Sequence, residues 1–114
     1  GENVVKIIPN RNDKSIIYFS RSDAPYSFRK SKKTFFHHLD TISFKPNALK
    51  MFSKLGQGKL EKTEGIELLR AIENHFKVGT FSIKTSSFSI NTMNDFKKAK
   101  NYLKKDKYFK RYCV

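Results

Sequence analysis

Two short runs of β-branched and aromatic residues at the start of the chain most constrain its fold. Residues 4–8 (VVKII) end at Pro9, and residues 15–20 (SIIYFS) follow a polar segment, residues 10–14. Runs of this length are typical of strands, and the polar segment between them carries the Asn and Asp residues of a turn. We therefore expect a hairpin-like pair of strands at the beginning of the chain.

The remaining sequence predicts a series of helices and strands without an internal repeat. Residues 59–76 form the strongest predicted helix, because their apolar side chains recur at helical spacing. The predicted elements after the hairpin are a basic loop at 21–34, a strand at 38–44, a helix from Pro46 to the glycines at 56–58, the helix at 59–76, strands at 77–83 and 88–90, and a helix at 93–105. This order predicts an α/β fold with a mixed sheet and three helices.

The last predicted helix, residues 93–105, is basic and amphipathic. Thr92 followed three residues later by Asp95 predicts a cap at its N-terminus, and Asn91 lies at the mouth of the turn before it. Its apolar side, which we expect to face inward, consists of Phe96, Ala99, Tyr102 and Leu103.

Charge is the main compositional signal. The 114 residues contain 24 Lys and Arg against 10 Asp and Glu, a formal net charge of +14. This favours anionic partners such as nucleic acid, nucleotides or an acidic membrane surface. Most of the cations are lysines spread along the chain, which favours a solvated basic surface over a dedicated nucleic-acid binder. The single cysteine, Cys113, fits a reducing cytoplasm, and no apolar run is long enough for a membrane helix.

Two basic segments could still contact nucleic acid, because aromatic side chains among cations can stack on bases. Residues 28–36 combine phenylalanines with Arg and Lys, and residues 104–111 combine Tyr108 and Phe109 with cations. Neither segment carries a helix-turn-helix or single-strand-binding signature. We therefore favour a solvated loop and a frayed tail at these positions.

Three glutamates on the strongest predicted helix are spaced by three residues and so share a face. They are Glu61, Glu64 and Glu67. The sequence favours a solvated face for them, with Glu67 paired to Arg70 one turn later. A functional stripe of acids is the alternative.

The end of the second predicted strand places Arg21 at the edge of the sheet. A guanidinium there suits a carboxylate or a phosphate, while local pairing with Asp23 is an equally good interpretation. His37 and His38 are neighbours on a predicted strand, so their side chains should diverge. A shared metal site is therefore not expected, although one imidazole could meet a ligand.

The order of these segments resembles a family of enzymes, the 3-deoxy-manno-octulosonate cytidylyltransferases (CMP-Kdo synthetases), within the sugar nucleotidyltransferases. The resemblance rests on residues 3–26 (NVVKIIPNRNDKSIIYFSRSDAPY), of which Tyr-Phe-Ser-Arg is the most specific part. It continues in residues 37–42 (HHLDTI), 60–70 (LEKTEGIELLR) and 90–96 (INTMNDF). It covers most of this chain but only the C-terminal half of the family's proteins.

The resemblance implies a fold, a reaction and a set of site residues. The fold would be the C-terminal portion of the Rossmann-like nucleotide-diphospho-sugar transferase fold. Residues 1–114 would form one domain, the sugar-binding and dimer-forming half, with the N-terminal CTP-binding half absent. The complete cytoplasmic enzyme would join CTP to a Kdo-like 3-deoxy sugar acid with Mg²⁺, for lipopolysaccharide or surface-glycan synthesis. This chain alone would be inactive, and neither membrane nor nucleic acid would be its partner.

Carried over by position, Arg21 would face the carboxylate of the sugar acid. His38 and Glu67 would contact its hydroxyl groups, and no catalytic residue would lie in this part. Asn91 would occupy the place of a magnesium-binding Asp, where an amide is a weaker ligand than a carboxylate.

Three further positions depart from the family's pattern: Asp40 replaces a Gly, Ile42 a Tyr and Leu68 a Gln. These changes and Asn91 indicate a different sugar specificity or a lapsed active site. Two alternatives therefore remain, a non-catalytic dimerisation or interaction domain and a basic nucleic-acid-binding module.

Overall fold

The structure, a computed structural model, describes residues 3–29, 35–84 and 90–112. The chain divides into two compact units, Gly1–Lys84 and Thr85–Val114. The prediction of one domain over residues 1–114 stays a prediction.

The first unit contains a small antiparallel sheet. Its strands are β1 (Lys6–Pro9), β2 (Ile16–Ser20) and β3 (Phe36–His37), in the spatial order β2-β1-β3. β1 and β2 pair antiparallel, so the predicted hairpin is confirmed. β3 also pairs antiparallel with β1. The mixed sheet that the sequence predicted is therefore not seen among the described residues.

The third and fourth predicted strands need correction. The strand predicted at 38–44 is wrong, because the strand that forms here, β3, covers only Phe36–His37 and lies before that range. Asp40, with a φ of 58°, does not have a strand conformation. The strand predicted at 77–83 is reduced to a single bridge between Gly79 and Ser15. Of the strand predicted at 88–90, residues 88–89 lie outside the described residues, and Ile90 is not in a strand.

Three helices follow the sheet in the first unit. α1 (Pro46–Ser53) begins at the proline, as predicted, since proline is well suited to the first turn of a helix. The single helix predicted at 59–76 is wrong, because it is divided into α2 (Lys59–Glu64) and α3 (Leu69–Glu73). Gly65 separates them with a φ of 67°, the left-handed conformation in which glycine ends helices without steric cost.

The core of the first unit joins the sheet to the turn between α2 and α3. Phe19 and Leu69 are completely buried at its centre. The other buried members of this cluster are Ile7, Ile16, Ile66 and Leu68. Packing against β2 thus fixes the residues that follow Gly65.

The second unit contains α4 (Met93–Lys105) and α5 (Phe109–Tyr112). The predicted cap is confirmed: the Thr92 hydroxyl accepts from the Asp95 N–H at 3.1 Å, and the Asp95 carboxylate accepts from the Thr92 N–H at 3.0 Å. No residue of α4 is buried, and the inward-facing side predicted for this helix stays a prediction. The described residues contain five helices in place of the three predicted, and none is long and apolar enough to cross a membrane.

Candidate functional site

A cleft of about 520 Å³ opens in the first unit, and it brings together the three predicted sugar-contacting residues. Arg21, His38 and Glu67 all line it, although they come from the end of β2, the end of β3 and the turn after α2. We call it the Arg21 cleft. Asp40 and Arg70 also line it, so its charged groups are of both signs. The structure therefore assembles the predicted set, while the role of each residue stays a prediction.

Arg21 is bound to the C-terminal end of α2. Its Nε donates to the Glu64 carbonyl at 2.7 Å, and its Nη2 donates to the Gly65 carbonyl at 3.0 Å. Carbonyl groups at a helix C-terminus lack partners within the helix and carry partial negative charge, so a guanidinium is well placed there. The structural interpretation of Arg21 is thus supported, with these carbonyls as its partners.

The local pairing predicted for Arg21 involved Asp23. In the structure, the Asp23 carboxylate lies 3.3 Å from the Nζ of Lys6, a lysine that is almost completely buried in β1. The same Nζ donates to the Arg21 carbonyl at 2.6 Å. Lys6 and Asp23 therefore belong to the polar surroundings of Arg21.

His38 is held against the core. Its side chain is 13% exposed, and its ring meets that of Phe19 edge-on with 5.6 Å between centroids. Its Nε2 lies 4.0 Å from the Oδ1 of Asp40, whose side chain is 70% exposed. His37 is exposed, so the predicted divergence of the two imidazoles is confirmed.

The three glutamates do not share a face, and the prediction of one solvated stripe is wrong. Glu61 is buried in an ion pair, Glu64 bonds to β2, and only Glu67 is exposed. The reason is the left-handed turn at Gly65, which interrupts the helix before the third glutamate. Glu67 consequently reaches the Arg21 cleft instead of continuing the α2 surface.

Arg70 pairs with Glu61. The sequence analysis had predicted a pair between Arg70 and Glu67, and that prediction is wrong. Its Nε donates to Glu61 Oε2 at 2.8 Å and its Nη2 to Glu61 Oε1 at 2.7 Å, a bidentate geometry. Its guanidinium also lies 5.2 Å from the centroid of the Phe52 ring. The Arg70 guanidinium holds the pKa of Glu61 below its usual value, and the carboxylate raises the pKa of Arg70. This pair fixes one wall of the cleft.

Asn91, the predicted remnant of a metal ligand, lies in the second unit. Its backbone N–H donates to Asp95 Oδ2 at 3.2 Å, and the same oxygen accepts from the Thr92 N–H and hydroxyl. The nearby carboxylate is therefore engaged in the helix cap. Over residues 3–29, 35–84 and 90–112, no group of three His, Cys, Asp or Glu side chains could hold a metal ion.

The sequence analysis gave no site role to Glu64, which contacts Arg21, or to Arg70, which lines the cleft. Glu64 accepts from Tyr18, Ser20 and Arg21 on the end of β2, and Arg70 lines the cleft. The glycine at position 65, inside an otherwise helical pattern, was the available signal that the helix could end there. A helix that ends at Gly65 no longer places Glu67 and Arg70 on the helix face that carries Glu61.

A solved structure shares this fold. The chain superimposes on a structure of CMP:2-keto-3-deoxy-manno-octonic acid synthetase complexed with CTP, with a TM-score of 0.85 and 23% identity over 91% of this chain and 43% of that one. The predicted fold class, part of a nucleotide-diphospho-sugar transferase fold, is thereby confirmed.

Sequence similarity points to the same enzymes. The chain is 40% identical to the 3-deoxy-manno-octulosonate cytidylyltransferase of Rickettsia prowazekii over 89 residues, which is 78% of this chain and 35% of the relative. It is 31% identical to the enzyme of the same name from Fusobacterium nucleatum, over 91% of this chain and 42% of the relative. It is 33% identical to that of Brucella ovis, over 88% of this chain and 40% of the relative. The predicted resemblance is confirmed. No protein-family model matches the chain.

The chain spans about two fifths of the length of the curated relatives it matches. The activity, substrates and partners of the whole relatives therefore come to this chain only as proposals.

Proposed function

We propose that this chain is the sugar-acid-binding part of a cytidylyltransferase that activates a Kdo-like 3-deoxy sugar acid with CTP. The names of its relatives support the reaction. The single observation that carries the proposal for this chain is the convergence of Arg21, His38 and Glu67 on one cleft. These residues are far apart in sequence. In the cleft, one cation and two groups that can bond to hydroxyls lie where a single ligand can contact all three.

The chemistry of the cleft suits a polyhydroxylated acid. The Arg21 guanidinium supplies positive charge for the ligand carboxylate, and the imidazole and the exposed Glu67 carboxylate can bond to hydroxyl groups. The walls include apolar side chains such as Ile66 and Leu68, which can contact the carbon face of a sugar. The chain's own contribution is thus to bind and orient the sugar acid.

Other parts of the proposal concern the complete enzyme. Attack on CTP requires a CTP site, which the resemblance implies in the half that this chain does not match. Mg²⁺ is proposed for that complete enzyme, and no step is assigned to it through residues of this chain. A homodimer, a cytoplasmic location and a role in lipopolysaccharide or surface-glycan synthesis are proposed on the resemblance alone.

Binding of the sugar acid can be tested on this chain directly. Titration with 3-deoxy-manno-octulosonate, followed by NMR of the ¹⁵N-labelled protein, should shift signals of residues that line the cleft. His38→Gln should weaken binding about threefold to tenfold, since one hydrogen bond contributes roughly 1 kcal/mol. His37→Gln is the matched control, because this neighbour is exposed and outside the cleft. Equal affinities for the two variants would contradict the proposed site.

The reaction can be tested in a chimera. This chain would replace the matching segment of the Rickettsia prowazekii relative, and formation of CMP-sugar from CTP and the sugar acid would be measured with Mg²⁺ present. We expect product from the chimera and none from this chain alone. A chimera that is folded and binds CTP but forms no product would refute the proposal in favour of a non-catalytic domain.

A further inference from the structure

The predicted carboxylate anchor, Arg21, is held by hydrogen bonds of both its side chain and its backbone. Its side chain donates to the carbonyls of Glu64 and Gly65, and its own carbonyl accepts from the buried Lys6. Its backbone N–H donates to Glu64 Oε2 at 3.0 Å. Glu64 therefore contacts Arg21 twice, through its carboxylate and through its carbonyl.

The carboxylate of Glu64 also ties α2 to the strand that precedes Arg21. Its Oε1 accepts from the Ser20 hydroxyl at 3.0 Å and from the Tyr18 hydroxyl at 3.3 Å. Ser20 is buried and Tyr18 half-buried, so these hydroxyl groups would lose much of their hydration if the acceptor were removed. The backbone N–H of Arg21 is the main cause that lowers the pKa of Glu64, which keeps the carboxylate charged.

These contacts form a closed arrangement. The carboxylate fixes the backbone at Arg21, and the Arg21 side chain returns to the carbonyls at the end of the same helix. Glu64 itself does not line the Arg21 cleft, whereas Arg21 and Gly65 do. Glu64 is therefore connected to a ligand in the cleft through Arg21 and the Gly65 turn, not by direct contact.

We propose that Glu64 is a positioning residue, which holds the Arg21 guanidinium at the cleft for the carboxylate of the sugar acid. The inference rests on the proposed function for the identity of the ligand. The positioning of the guanidinium is a property of the protein alone. It predicts that removing the Glu64 carboxylate moves or frees Arg21 even without ligand.

The test uses the full chain and two readouts. The first is hydrogen exchange of the Arg21 Nε–H, followed by NMR without ligand. The second is the dissociation constant for 3-deoxy-manno-octulosonate. Glu64→Ala should accelerate exchange and weaken binding about tenfold, since hydrogen bonds to charged groups are stronger than neutral ones. Glu64→Gln preserves the shape and one acceptor, so a smaller change is expected and the fold is retained. Thr63→Ala, on the same helix and exposed, is the control.

A double-mutant cycle separates positioning from a general loss of structure. If Glu64 acts through Arg21, substituting Glu64 should change affinity little in a protein that already carries Arg21→Lys. Additive losses would overturn the proposal, as would an unchanged exchange rate in both Glu64 variants. Absence of binding by the unmodified chain would overturn the proposed function instead, and the exchange rates would still decide the positioning.

Discussion

The prediction that most directly tests the core beneath the cleft concerns Phe19. Its side chain is completely buried, belongs to the cluster with Leu69, and meets the ring of His38 at 5.6 Å. Phe19→Ala removes a ring whose burial is worth about 1.5–3 kcal/mol and leaves a cavity, so the expected loss is about 3–5 kcal/mol. Chains of this size are stable by about 5–15 kcal/mol, so the loss is a large share of the total.

The assay is urea unfolding followed by circular dichroism, with the loss determined from the midpoint at an unchanged slope. Ile17→Ala is the matched control, because this neighbour on β2 points to the opposite face and is 54% exposed. We expect its loss to be below about 1 kcal/mol. If Phe19→Ala prevents folding, Phe19→Leu provides a milder step of about 1–2 kcal/mol. Equal losses at the two positions would refute the assignment of faces on this strand.

Three further predictions concern the turn, the helix cap and pH. Gly65→Ala should destabilise the chain by about 1–2 kcal/mol, because a Cβ is strained at the left-handed φ of 67°. Gly56→Ala, the control, should not destabilise it. Urea unfolding would test both variants, and equal midpoints would exclude strain at Gly65. Thr92→Ala should destabilise α4 by about 1 kcal/mol, because it removes the acceptor for the Asp95 N–H. Amide hydrogen exchange in the first turn of α4 should become faster, and Thr92→Ser, which keeps the hydroxyl, is the control. The lowered pKa of Glu64 contributes stability that is complete above the ordinary value of 4.5 and is lost as the pH falls through the folded-state pKa. Unfolding midpoints should therefore decrease below about pH 5, and less steeply for Glu64→Gln; parallel curves would contradict this assignment.

Much of the local structure followed from short-range signals. Turn residues between two β-branched runs predicted the hairpin, and Pro46 marked the start of α1. Thr92 and Asp95 predicted the capping box, since both partners lie within one helical turn. In each case the groups that decide the conformation are neighbours in sequence.

The strand and helix errors share a different cause. Apolar spacing over residues 59–76 favoured one long helix, but Gly65 and the binding of its carbonyl by Arg21 end α2 early. The strand predicted at 38–44 had suitable alternation, yet the only ladder that β3 forms within the described residues is two residues long. Local propensity was overridden by contacts with distant parts of the chain.

The site shows the same division. Through a resemblance in its motifs, the sequence by itself identified Arg21, His38 and Glu67 as candidate ligands of a sugar acid and confined the chain to part of a cytidylyltransferase-like fold. Only the tertiary structure decided that these three share one cleft, that Glu61 pairs with Arg70, and that the Glu64 carboxylate accepts a hydrogen bond from the Arg21 N–H. The physical reason is that Arg21 and Glu64 are 43 residues apart, and a hydrogen bond across that distance exists only once the core has brought β2 and α2 together.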